Sequence, residues 1–312
     1  MALLAEYALT PDVFDATSYS SQEVCGLHLQ TLKDVMLHEG LVRDLRAGEW
    51  GRLFISGDRP WHPRGKELLK KLASQKRLIT FPPSGSVAPK TDAEWCGEAI
   101  ASHQPPRELA GIIVSDALVG PHCANPLVAA VGRLSSTPWW ASRSSSLRLS
   151  RTLAAYRTGL DLVLRHANSI MLIDPHFDPT EYRYRDAVAL LASAGGRSPR
   201  PLVEIHRVAW CGTSQDKRPQ LETVEAAVRP ALAAAAATSG LSFEVFLWDD
   251  FHDRYLISDL VGISVPHGFD TTKAPNAVTT WTRLGRTDRD DVQREFDPAS
   301  GRHTLRTRFR IP

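Results

Sequence analysis

The sequence predicts an α/β protein of two domains: a smaller α/β N-terminal domain, then a mixed sheet flanked by helices. Three observations predict it. Apolar runs of strand length alternate with stretches of helical periodicity through most of the chain. A serine- and arginine-rich segment without periodicity, residues 133–150, interrupts that alternation. The chain has 312 residues, long for one compact domain and comfortable for two. The domains are placed at residues 1–135 and 151–312, with 136–150 as a linker, and Trp139-Trp140 in that linker is expected to pack across the domain interface.

In the first domain, residues 29–38 have helical spacing, and 66–73 (KELLKKLA) form a short amphipathic helix. A strand-like 77–81 follows, broken by Pro82-Pro83-Ser84-Gly85. Residues 92–102 read as a helix capped by Thr91 or Asp92. Residues 109–114 (LAGIIV) read as a buried strand ending at Ser115-Asp116. In the second domain, 149–167 is a long amphipathic helix and 169–173 (SIMLI) a buried strand. A helix over 186–194 ends at Gly195-Gly196. Then come a strand at 202–210, an alanine-rich helix at 221–238 and a strand at 241–248. Short strands at 255–258 and 262–265 and an alternating final strand at 304–311 complete it. Strands separated by helices require crossovers, hence a mainly parallel or mixed sheet.

Composition narrows the class without naming a partner. Hydrophobic residues make up 43% and charged residues 23%, ordinary for a soluble globular protein. A formal net charge of +2 is too mild to identify a polyanionic partner. Arginine outnumbers lysine, particularly after residue 140, which suits bidentate phosphate contact but equally accompanies a composition rich in Ala, Gly and Pro. Cys25, Cys96, Cys123 and Cys211 stand apart, without zinc-knuckle spacing, and fit reduced thiols in a cytoplasmic protein. The N-terminus lacks the basic region of a signal peptide, and no run of 18 apolar residues is present to span a membrane. No metal and no cofactor is expected.

The chemistry gathers in the stretch FLWDDFHDRYLI, residues 246–257. His252 and Arg254 are two residues apart, so on an extended strand they share a side. The imidazole can attack phosphorus or carry a proton, and the guanidinium can neutralise the equatorial oxygens of a phosphodiester. Sites in open α/β sheets gather at the carboxyl ends of strands, and both Asp174 with His176 and the His252 motif follow apolar strand runs. Plainer readings exist for each: His252 as a core histidine, Arg254 as a partner of Asp249 or Asp270, Asp174 and His176 as helix caps, and His267 as a turn residue beside Gly268. His206 alternates with Glu204 and is expected to face solvent or a helix. Arg283, Arg286, Arg289 and Arg294 interleave with acids and read as a solvated surface. Residues 57–66 read as a Pro/Gly loop that concentrates basic and aromatic side chains, a weaker candidate for nucleic-acid contact.

Residues 169–312, or about 150–312 with the preceding helix, resemble a phospholipase D-like domain. His252-Asp253-Arg254 stands where that superfamily has His-x-Lys followed by an acid, with Arg254 replacing lysine. Residues 261–270 sit where the family has a glycine-containing strand. The chain is most similar to the His-Asp-Arg variant in the C-terminal domain of microtubule-interacting-and-trafficking (MIT) proteins and their bacterial relatives, with Gly262, Gly268-Phe269-Asp270 and a late His303. The resemblance implies metal-independent phosphodiester chemistry, in which one histidine forms a phosphohistidine and a second protonates the leaving group. It implies His252, Arg254 and His303 as catalytic residues and Asp174, His176, His267 and Asp270 as substrate-binding residues. Only one copy of the motif is evident, so either a homodimer sets two His252 face to face, or this chain supplies the second histidine: His303 first, then His267 and His176. The expected function is a nuclease-like phosphodiesterase, fitting a bacterial defence system. The alternative is a non-catalytic module binding nucleic acid, phospholipid headgroups or a protein partner. The N-terminal domain is the candidate surface for a protein partner.

Overall fold

The computed structural model describes residues 3–55, 59–211 and 217–312. The chain divides into two compact α/β units, Leu4–Arg143 and Ser144–Pro312, the latter including Leu3.

The first unit is a parallel five-stranded sheet. Its strands are β1 (Ala5–Leu9), β2 (Gly40–Asp44), β3 (Leu78–Thr80), β4 (Gly111–Val114) and β5 (Val128–Ala130), ordered β3-β2-β1-β4-β5. Helices Gln22–His38, Pro63–Ser74 and Asp92–Ala101 make the crossovers that parallel pairing requires. Thr91 caps the last with a full capping box to Glu94. Tyr7, Leu9, Ile112 and Val114 are fully buried because β1 and β4 are covered on both faces. Arg43 of β2 interrupts that apolar texture, and its buried guanidinium is held by Glu6 at 2.6 Å and the Ser102 carbonyl at 2.6 Å.

The division between the units, at Arg143/Ser144, falls inside the expected linker, but that segment carries regular structure. Residues 136–150 hold a short helix, Pro138–Ala141, and a strand, β6 (Ser146–Ser150), that joins the second sheet. Trp139 and Trp140 pack on Tyr7 of the first unit, with ring centroids 6.0 and 5.9 Å away, rather than across an interface. Gly111 permits this, since a Cβ there would meet the Trp139 ring at 2.5 Å. In the 57–66 loop, Gly57 and Asp58 lie outside the described residues. Trp61 is buried against Phe54, and His62 caps the following helix, so this ring is not free to stack on a base.

The second unit adds β7 (Ser169–Ile173), β8 (Leu202–Val208), β9 (Phe243–Trp248), β10 (Tyr255–Ser258), β11 (Gly262–Ser264), β12 (Val278–Arg283) and β13 (Leu305–Ile311). The order is β13-β9-β8-β7-β10-β11-β12-β6. β7, β8 and β9 are parallel to one another, and every other pairing is antiparallel. Helix Arg185–Ala192 connects β7 to β8, and helix Leu221–Ser239, ended by Gly240 at φ +70°, connects β8 to β9. The helix expected to begin at residue 149 begins at Leu153, behind its cap Thr152, because residues 146–150 are β6.

Topology positions the motif. β10 lies beyond β8 and β7 from β9, a displacement of three strand spacings or about 14 Å. Residues 249–254 make that crossing, so His252 and Arg254 must run over the carboxyl ends of the parallel strands.

Candidate functional site

Asp174 follows β7 directly and anchors the rim. It is 1% exposed. Its Oδ1 accepts from the His176 backbone N–H at 3.0 Å and from the Tyr184 hydroxyl at 3.4 Å, and it lies 3.4 Å from Arg254 Nε. Its Oδ2 lies against Gly268 and has no hydrogen-bond partner among the described residues. Burial lifts this carboxyl from the ordinary 3.8 to about 6, against the opposing pull of the His176 N–H and Arg254. The folded protein therefore keeps a proton that the unfolded chain releases between pH 3.8 and about 6. Raising the pH through that window costs wild-type stability, roughly 3 kcal/mol in all. Asp174→Asn is expected to gain stability relative to wild type over that window. Denaturant unfolding measured at each pH checks it, and a difference flat with pH would remove the buried charge from the account.

His252 and Arg254 do not occupy a strand, which corrects the expected alternation. Both precede β10. The His252 side chain is 75% exposed, its Nε2 4.0 Å from Asp250 Oδ2. Arg254 turns inward at 26% exposure, between Asp174 and the Pro266 carbonyl, and its own carbonyl accepts from Val265 N–H at 3.0 Å. The motif is thus fixed at its arginine and open at its histidine.

His176 is the second imidazole of the rim. Its ring meets Trp210 edge-on at 5.6 Å. Burial lowers its pKa most, followed by the charges of Arg254, Arg207, Arg183 and His252. Burial first, and the surrounding cations second, therefore favour its neutral form. Arg183 and Arg207 are the members of that surround that sequence reading missed, and Arg207 is the deeper one. It is buried, and its guanidinium donates to the carbonyls of Phe177 (2.7 Å), Val208 (3.1 Å) and Trp210 (3.2 Å). It ties the loop after β7 to the loop after β8. The available signal was an arginine in apolar β8 on the same side as Val203 and Ile205.

The other expected residues are placed as follows. His303 is engaged elsewhere: Nε2 lies 2.7 Å from Glu295 Oε1, and the ring packs on Phe296 at 5.1 Å. His267 lies beside the turn at Gly268, with Nδ1 3.3 Å from Thr279 Oγ1. Asp270 pairs with Arg151 at 2.5 Å, and its carbonyl accepts from the Tyr156 hydroxyl. His206, expected to face solvent or a helix, is buried instead. Phe246 stacks on it at 4.5 Å, and Trp248 Nε1–H donates to its Nδ1 at 3.0 Å, making it a neutral core histidine.

Among the described residues, no group of three or more His, Cys, Asp or Glu is arranged to hold a metal ion, and no helix is long and apolar enough to cross a membrane. No known protein family and no curated protein matches the chain. Among solved structures it is similar to TrmBL2, an archaeal chromatin protein described as showing a novel mode of DNA binding. The match has 14% identity, covers 83% of this chain and 87% of that one, and has a TM-score of 0.28, a superposition too loose to bear on function.

Proposed function

We propose that this rim is a metal-independent phosphodiester site with nuclease-like hydrolytic activity, as the phospholipase D-like resemblance implies. One observation carries the reading: an exposed imidazole, His252, and a neutral half-buried imidazole, His176, share a strand-end rim with the guanidiniums of Arg254 and Arg207. His252 attacks phosphorus, forming a P–N bond as the P–O bond to the leaving oxygen breaks. His176 gives that oxygen its proton. Water then attacks the phosphohistidine, its proton passes to His176, and the P–N bond breaks. Arg254 faces the non-bridging oxygens, where its planar fork matches them. With His176 as the second imidazole, no second copy of the motif is needed.

The test is hydrolysis of a thymidine dinucleotide in EDTA as a function of pH, since its alkoxide leaving group needs the proton. His176 must carry a proton to act, and its pKa lies below the ordinary 6.5. The expected result is EDTA-resistant turnover whose kcat/KM rises as pH falls toward the His176 pKa. His176→Gln is expected to lose this limb and about a hundredfold in kcat. Turnover that requires a divalent metal overturns the reading. The non-catalytic alternative draws on one observation: the His252 side chain is 75% exposed, with Asp250 4.0 Å away as its ionic neighbour among the described residues. Phosphate binding without turnover would favour it.

A further inference from the structure

A cleft of about 610 Å³ opens beside the rim, lined in part by Arg151, Tyr182, Arg183, Thr272 and Lys273. It adjoins the site: Arg183 precedes Tyr184, whose hydroxyl donates to Asp174 at 3.4 Å, and Asp270 lies two residues after Gly268, which abuts Asp174. None of its basic or aromatic side chains is placed on the scissile phosphate by the hydrolysis described above.

We infer that this cleft is a binding lane for single-stranded nucleic acid, carrying the strand that flanks the scissile phosphate; this rests on the rim being a phosphodiester site. Tyr182 is 55% exposed, a ring presented to solvent at the cleft wall. The Lys273 ammonium lies 5.0 Å from the ring centroid, so cation and aromatic form one unit able to hold a base and its phosphate together. Arg183 is anchored by Glu181 at 2.6 Å and Arg151 by Asp270 at 2.5 Å. Both guanidiniums are therefore oriented before a ligand arrives, which lowers the entropy lost on binding. The lining argues against a lipid. Among the described residues that line the cleft, Ala274 is the only aliphatic one, too little to shelter an acyl chain. A duplex keeps its bases stacked inside and cannot offer one to Tyr182, so the single strand is the form that fits.

Fluorescence anisotropy with a labelled oligothymidylate tests the lane, using the full chain at fixed salt. Tyr182→Ala is expected to weaken binding about tenfold, and Tyr182→Phe, which keeps the ring, to bind within about twofold of wild type. Lys273→Ala is expected to weaken binding and flatten its salt dependence. Tyr182 and Lys273 are exposed, so thermal unfolding should be unchanged. Equal affinity of wild type and Tyr182→Ala overturns the proposal, as does preferential binding to anionic phospholipid vesicles. Failure of the rim itself reads differently: the wild type would leave the thymidine dinucleotide intact.

Discussion

His252→Ala is expected to abolish diester hydrolysis, by about a thousandfold or more in kcat, while leaving the melting temperature where it was. The activity loss follows from the proposed mechanism, in which the imidazole is the group that bonds to phosphorus. Removing a nucleophile removes the covalent route, and only the residual effect of binding beside Arg254 survives. The unchanged stability follows from placement. The side chain is 75% exposed, and its ionic neighbour among the described residues, Asp250, lies 4.0 Å away. An exposed pair at that distance contributes little, and truncation leaves no cavity. The two measurements belong together. A large loss of turnover with an intact melt assigns the chemistry to His252, whereas residual turnover near the wild-type level would move it elsewhere on the rim. Mass spectrometry of acid-sensitive phosphoryl adducts on wild-type protein, absent from the variant, identifies the intermediate directly.

The α/β class and the rim position of the motif were legible in the sequence, for identifiable reasons. β7, β8 and β9 are parallel strands covered by helices, so they read as apolar runs, and parallel pairs demand the crossover helices found between them. From there, the rule that sites sit at strand carboxyl ends places Asp174 and His252 on one edge. β12 escaped because its exposed positions are Val278, Thr280 and Thr282 and only Trp281 is a large buried anchor. β6 escaped for a similar reason, since serines and Arg148 alternate with Leu147 and Leu149 along an edge strand. The alternation argument for His252 and Arg254 fails because their segment spans strands rather than pairing with one. The late His303 suggested itself by its place after the motif, but chain order says little about which histidine shares the rim. His176 is there because β7 stands between β8 and β10, a fact of strand order. Arg207, likewise, donates to its own neighbours Val208 and Trp210 and to Phe177 in the loop after β7, and only strand order brings that last carbonyl within reach.

Gly268→Ala is expected to be the most destabilising single-methyl change at the site, by about 3 kcal/mol, lowering the melting temperature by roughly 8 °C. Two effects add. Gly268 has φ +60°, where an alanine loses about 1 kcal/mol relative to glycine. The larger effect is contact: a Cβ there would lie 1.9 Å from Asp174 Oδ2 and 3.3 Å from Arg254 Cδ. Asp174 has little room to yield, because it is buried and its other oxygen is tied to the His176 N–H and the Tyr184 hydroxyl. Gly268 is itself fixed by its N–H to the Val265 carbonyl at 2.6 Å. Gly301→Ala separates the two effects. Gly301 has φ +67° and nothing within 4 Å of its would-be Cβ, so it carries the backbone cost alone. Calorimetric unfolding should show the Gly301 variant losing about a third of what the Gly268 variant loses. Equal losses would mean that the carboxylate does not sit against residue 268. On the proposed mechanism the Gly268 variant should also lose turnover, since the displaced carboxylate is the group that holds Arg254 in place. The Gly301 variant should retain it, because that glycine touches no part of the rim.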